Sequence, residues 1–256
     1  MTTLALRDVR IVAARELRPL LRSPFSLIFG MIQPLVFLAL FGPLLAGSLK
    51  GQEGGLGSDV WQWFVPAILV MTTLFGTSAV GANLLSEFVT GAHERMLVTP
   101  LARHALLVGR ALKEMVPLAG QALIIVVVML PFGFELHPAG ALLGLALLAL
   151  FGVGLGSFSY ALAVAVRRTD WMFWVVHQTL LFPLMILSGM LLPLETGPGW
   201  MRALAQFNPL AHMVTAERLL FAGTVSDRAV WWGFAAAAAT ALAGLTVGIR
   251  AMRRST

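Results

Sequence analysis

Ala139–Val166, AGALLGLALLALFGVGLGSFSYALAVAV, carries no Asp, Glu, Lys or Arg. It is longer than the roughly 20 apolar residues that a helix needs to cross a bilayer. Five other segments have the same character: Phe25–Gly47, Trp61–Leu85, Val116–Phe134, Trp171–Leu192 and Ala229–Ile249. The length of Ala139–Val166 predicts a tilted span or a cytoplasmic extension. Val116–Phe134 either starts afresh or continues from Leu101–Met115 as one helix bent near Pro117. The whole chain agrees with these segments: 58% of its 256 residues are hydrophobic and 12% are charged, where a soluble domain carries about 25% charged residues. The sequence therefore predicts one all-α integral membrane domain of six transmembrane helices across residues 1–256, with no soluble block long enough to fold alone.

The basic residues set the expected orientation. Fourteen lie in the N-terminal segment, the second loop, the fourth loop and the tail; Lys50, Arg202, Arg218 and Arg228 lie on the other side. Such a bias places both termini in the cytoplasm. The net charge of +6 is thereby read as a topology signal, and no nucleic-acid partner is predicted. With no cysteine there is no disulfide framework and no thiolate metal site. Met1–Arg22 holds five arginines and two acids with no small-residue cleavage site, so a cleavable signal peptide is not expected. The seven tryptophans fall near span ends or in a loop, as an interfacial aromatic belt does. Gly152, Gly154 and Gly156, and the pair Gly244 and Gly248, predict close helix contacts. Pro34, Pro43, Pro66, Pro131 and Pro183 are expected to kink their helices.

Three segments outside the spans have patterns of their own. In Leu4–Arg22, residues Arg7, Arg10, Arg15, Arg18 and Arg22 fall within an arc of roughly 140° on a helix, opposite a leucine-rich face. That pattern reads as a basic positive-inside anchor or as an interfacial amphipathic helix that also docks a partner. Residues 86–115 form a segment far longer than the 2–8 residues that helix connections need. It opens with SEFVTGAHERMLVTP, and Arg103, Arg110 and Lys113 follow on one helical face. It reads as a solvated loop or as a cytoplasmic coupling helix that receives motion from a soluble partner. Residues 193–228 combine a Pro193, Gly197, Pro198, Gly199 turn, a short amphipathic stretch at Trp200–Phe207, a break at Asn208–Pro209 and a helix over Leu210–Leu220. They predict short re-entrant helices at the external mouth of a pathway, before the last span.

Within the spans polar groups are few: Gln33, Gln121, His177 and Gln178. An ionisable group in a span is a functional candidate, and His177 reads as a neutral packed residue or, with Gln33 and Gln178, as part of a pathway. No Asp, Glu, Lys or Arg lies deep in a span, which weighs against an ion-coupled secondary carrier or channel. No GxxxxGK[ST], HExxH or GxSxG occurs, and the five histidines have no ligand spacing. No catalytic residue or metal site is predicted.

Three features together carry a resemblance. They are the basic N-terminal helix ahead of six spans, the pattern Glu87-x3-Gly91-x2-Glu94-x-Met96-Leu97-x-Thr99-Pro100, and Ser188-Gly189-Met190-Leu191-Leu192-Pro193 followed by Gly199-Trp200 and Asn208-Pro209. The chain resembles the permease subunits of ABC-2 type exporters of the daunorubicin-resistance and nodulation-factor kind. The resemblance implies coupling through Glu87, Gly91, Glu94, Arg95, Met96, Thr99 and Pro100. It likewise implies an external gate around Gly189, Pro193, Trp200, Asn208 and Pro209. Its partners would be two cytoplasmic P-loop ATPase subunits, which bind the ATP and Mg that this chain does not. A second permease copy, identical or paralogous, would complete the transporter in the bacterial cytoplasmic membrane. The cargo implied is a hydrophobic or amphipathic drug, lipid or glycolipid.

Overall fold

The computed structural model describes the backbone of residues 24–49, 60–90, 103–194 and 197–254. Every element it describes is helical. In chain order these are α1 (Pro24–Leu49), α2 (Val60–Gly76), α3 (Ser78–Val89), α4 (Arg103–Met129), α5 (Pro138–Ala165), α6 (Asp170–Ile186), α7 (Gly199–Ala205), α8 (Pro209–Phe221) and α9 (Arg228–Arg254). Four stretches are long and apolar enough to cross a membrane: Val60–Val89, Met115–Phe132, Pro138–Ala165 and Arg228–Met252. Met31–Gly47 is apolar but shorter, and α6 has 17 residues. The expected N-terminal helix at Leu4–Arg22 and the segment Gly91–Pro100 lie outside the described residues.

α2 is the centre of the bundle. Its sequence is apolar on all sides, and every residue from Phe64 to Leu74 is buried, as a helix without a polar face must be. Around it stand α1, α4, α5 and α8. The main core gathers Phe64, Ile68 and Met71 of α2 with Ile125 and Met129 of α4, Phe151 of α5 and Met213 of α8. A second, smaller core joins Leu84 of α3, Tyr160 of α5, Phe173 of α6 and Met252 of α9.

The most extensive pairing is α9 on α5, and it is made backbone to backbone. A Cβ on Gly244 would overlap the Gly154 carbonyl, and a Cβ on Gly154 would come within 2.7 Å of the Ala241 nitrogen. α8 then wedges between α9, α2 and α5. Its fit against α5 also uses bare backbone: a Cβ on Gly140 would overlap the Leu220 carbonyl oxygen. Small residues at such contacts let helices approach closely where lipid removes the hydrophobic drive to associate.

α1 packs against α2 and α4, and α6 against α5 and α3. Both leave apolar residues exposed: Ile32, Val36, Leu40 and Leu44 on α1, and Trp174, Leu180, Phe182 and Ile186 on α6.

Two features refine the sequence reading. The stretch read as one span over Trp61–Leu85 is interrupted at Thr77, which separates α2 from α3. Thr77 and Ser78 both donate their hydroxyls to the Leu74 carbonyl, at 2.9 and 3.4 Å, and such side-chain bonds compete with the helical ladder. Of the two alternatives for the third span, the continuous helix holds: α4 runs through Pro117 from Arg103 to Met129, and the stretch apolar enough to cross a membrane begins within it at Met115. It ends in a short 3-10 turn at Leu130–Phe132, where Gly133 adopts φ 90° and supplies the left-handed residue that closes many helices.

Candidate functional site

Helix ends expose carbonyls and amides that have no partner within the helix. At one end of this bundle several such ends converge, and a ring of side chains satisfies them. The ring, here called the collar, is built on the start of α2, the loop before α5, the loop after α6 and both ends of α8.

Gln62, in the first turn of α2, reaches across to two other elements. Its Nε2 donates to the carbonyl of Glu135 at 3.0 Å and to that of Phe221 at 2.6 Å, while Glu135 N donates to its Oε1 at 3.1 Å. Phe221 is the last residue of α8, and His137 Nδ1 lies 3.0 Å from the same carbonyl. Arg218, one turn earlier on α8, donates from Nε to the Trp63 carbonyl at 2.9 Å and from Nη2 to the Gly189 carbonyl at 3.0 Å. Its guanidinium also lies 3.7 Å from the centroid of the Trp63 ring. A planar fork stacked on an aromatic face and directed at two carbonyls is a role Lys does not reproduce.

The start of α8 is fixed from the other side. Asn208 caps it by accepting from Leu210 N at 3.0 Å, the bond an N-cap residue makes. Its Nδ2 donates to the Leu184 carbonyl in the last turn of α6, at 2.7 Å. Pro209 occupies the first helical position, where its missing N–H costs nothing. Gly189 turns the chain after α6 with φ 70°, a conformation that suits glycine. That turn presents its carbonyl to Arg218.

The sequence-derived gate residues thus divide. Gly189, Asn208 and Pro209 meet around α8. Trp200 is exposed at the start of α7, and Pro193 is half-buried in the preceding loop. Of the coupling residues, Glu87 is half-buried on the last turns of α3, where Thr90 Oγ1 donates to the carbonyls of Ser86 and Glu87. Gly91, Glu94, Arg95, Met96, Thr99 and Pro100 lie outside the described residues, as do Arg7, Arg10, Arg15, Arg18 and Arg22.

A second polar node sits at the α2–α3 break. Ser78 Oγ is hydrogen-bonded to His177 Nε2 of α6. Ser159 Oγ of α5 donates to the Ser78 carbonyl at 3.4 Å and accepts from Gly81 N at 3.1 Å. The His177 ring stacks on Phe173, with centroids 5.5 Å apart. His177 is therefore both packed and bonded, while Gln33 and Gln178 are exposed on α1 and α6.

Sequence reading passed over Gln62, Arg218 and Glu217. The signal was available in Ala-Glu-Arg-Leu-Leu-Phe at 216–221: an acid and a base adjoining an apolar run. Only Arg218 finds partners in the collar. Glu217 is fully buried, and neither carboxylate oxygen has a hydrogen-bond partner among the described residues. Burial pushes its carboxyl up to about 8. Among the described residues no three His, Asp or Glu side chains gather as metal ligands would.

The sequence profile of the ABC-2 type transporter family matches residues 7–221. The chain belongs to the ABC-2 type transporter family. The match takes in α1 to α8 and ends at Phe221, whose carbonyl the collar holds. Among its relatives is the daunorubicin resistance ABC transporter permease protein DrrB1 of Streptomyces coeruleorubidus, 28% identical over 206 residues, or 78% of this chain and 70% of that one. The putative transport permease ycf38 of Cyanophora paradoxa is 29% identical over 218 residues, 84% of this chain and 74% of its own. The probable multidrug ABC transporter permease YbhR of Escherichia coli K12 is 24% identical over 174 residues, covering 67% of this chain and 47% of its own. These three relatives are all named as permeases, and the apolar helices of this chain are those of a membrane protein.

Proposed function

We propose that this chain is the permease subunit of an ATP-driven exporter that moves a hydrophobic or amphipathic compound, such as a drug, lipid or glycolipid, out across a bacterial cytoplasmic membrane. The observation that carries this reading is the ABC-2 family match over residues 7–221. Relatives named for daunorubicin resistance and multidrug transport favour an apolar cargo. In this reading α1, α2 with α3, α4, α5, α6 and α9 are six spans, both termini are cytoplasmic, and α7 and α8 are the external re-entrant pair.

Two P-loop ATPase subunits bind ATP and Mg and do the hydrolysis. A second permease copy covers the exposed apolar faces of α1 and α6, and the pathway runs between α1, α2 with α3, and α6. Closure of the ATPases presses on Glu87–Pro100. That segment lies between α3, seated on α5, and α4, a single helix of 27 residues. At 1.5 Å per residue, α4 is about 40 Å long, so a push at Arg103 travels along one helix toward the turn at Leu130–Phe132 and the loop before α5.

The test is a mild-detergent purification of the tagged chain from its native membrane, followed by export assays on Glu94→Lys. A P-loop ATPase should copurify in fixed proportion, and the variant should insert normally yet export no better than cells lacking the ATPase. Normal export by Glu94→Lys removes the coupling role of the segment. Recovery of the chain alone, with transport that survives ATP depletion, removes the ATP-driven reading.

A further inference from the structure

Glu217 stands in a seat built for something without charge. The side chain is fully buried. Its carboxylate fills the space over Gly144 of α5, where an added Cβ would come within 2.5 Å of Oε2 and 3.0 Å of the Phe221 ring. One turn along α5, Gly140 receives the Leu220 carbonyl. The two glycines together form the floor on which this face of α8 rests.

No described cation faces that carboxylate. α2 has no ionisable side chain from Val60 to Gly76, and the only one in α5 is Tyr160, in the second core. On α9 the arginines sit at the two ends, Arg228 at one and Arg250, Arg253 and Arg254 at the other. On α6, Asp170 is at the far end, and His177 is bonded to Ser78. In the loop before α5, Glu135 joins the collar through its backbone, and His137 is bonded to the Phe221 carbonyl. On α8 itself, His212 Nε2 lies 2.9 Å from the Gln206 carbonyl, and Arg218 is committed to Trp63 and Gly189.

An ionised carboxylate without a partner is very costly in such a place, and the group takes up a proton instead. We propose that Glu217 is held as a neutral acid while α8 is seated on Gly140 and Gly144, and that it releases its proton to water when α8 lifts, so that the α8–α5 contact is a proton-gated latch. On reseating, the carboxylate takes a proton back from water. The proposal goes beyond the export reading and does not rest on it.

The direction of the pH response follows from linkage. The seated carboxyl titrates near 8 and the exposed one near 4.5. The seated form therefore binds more protons throughout that interval. Its stability is fully present below about 4.5 and falls as pH rises to about 8, by up to tenfold in the seated-to-lifted ratio per pH unit for one proton.

The test uses the full chain in lipid nanodiscs, with backbone hydrogen–deuterium exchange over residues 209–221 measured from pH 5 to pH 8 and corrected for intrinsic exchange. In the wild type, opening should grow by up to tenfold per pH unit. Glu217→Gln, which keeps the shape without the titration, should stay closed at all pH values. An infrared band of a protonated carboxyl should be present in the wild type and absent from the variant. A wild-type opening that ignores pH overturns the latch, and that result needs no variant. The same pH slope in Glu217→Gln, or the same infrared band in both proteins, overturns it equally.

Discussion

The collar and the α2–α3 node solve the same problem with different means. In the collar, helix ends are satisfied across elements: Gln62 joins α2 to the loop before α5 and to α8, Arg218 joins α8 to α2 and to the turn after α6, and Asn208 joins α8 to α6. At the node most of the bonding is local. Thr72 and Thr73 bond back within α2 and Thr77 and Ser78 back across the break to Leu74, and the reach to other elements rests on Ser159 and His177. Amide and guanidinium groups span several elements at once, whereas hydroxyls mostly mend the helix that bears them. The difference predicts that α8, while seated, is fixed more firmly than α6.

The sharpest way to break the contrast is at the floor of the collar. Gly140→Val places a side chain where the Leu220 carbonyl sits, and should cost about 3 kcal/mol through forced separation of α8 from α5. Gly152→Ala, whose Cβ would meet the Thr73 and Thr77 methyls at ordinary contact distances of 3.5 and 3.8 Å, is the mild companion. Comparison of their thermal midpoints in detergent checks both. Next in size, Arg218→Ala leaves two carbonyls without their charged donor and should cost about 2 kcal/mol, read in the same melt. Arg218→Lys should recover part of it at most. Gln62→Ala should cost about 1 kcal/mol, visible as faster amide exchange in Glu135 and at the end of α8. The smallest effect is expected at the node. His177→Phe keeps a ring on Phe173 but loses the Ser78 bond, worth about 0.6 kcal/mol in a membrane protein. A melt displaced further by His177→Phe than by Arg218→Ala would reverse the ranking of the two regions.

Much of this was legible in the chain. Composition and the long apolar runs announce an all-helical membrane protein, and the Glu87–Pro100 and Gly189–Pro209 patterns lead to the ABC-2 family. What escaped was set by contacts distant in sequence. Gln62 looks like one more polar residue near an interfacial tryptophan; its value comes from Phe221, 159 positions away. Arg218 counts toward the charge of a loop until Trp63 and Gly189 are found beside it. The interruption at Thr77 is hidden because Gly76, Thr77 and Ser78 are all tolerated inside a span. Glu217 escaped for another reason: a search for acids deep in the spans passes over one carried inward on a separate short helix.

The glycine contacts of α5 have a mechanical side. Ordinary helices interlock, ridge into groove, and one cannot slide along the other without lifting its side chains over the next row. Where Gly154 meets Gly244, and Gly140 meets Leu220, the local relief is nearly flat. Such a surface acts as a plain bearing between α9 and α5, whereas α8 is held at both ends by the collar. Added bulk there would act as grit, arresting movement even in a protein that still folds.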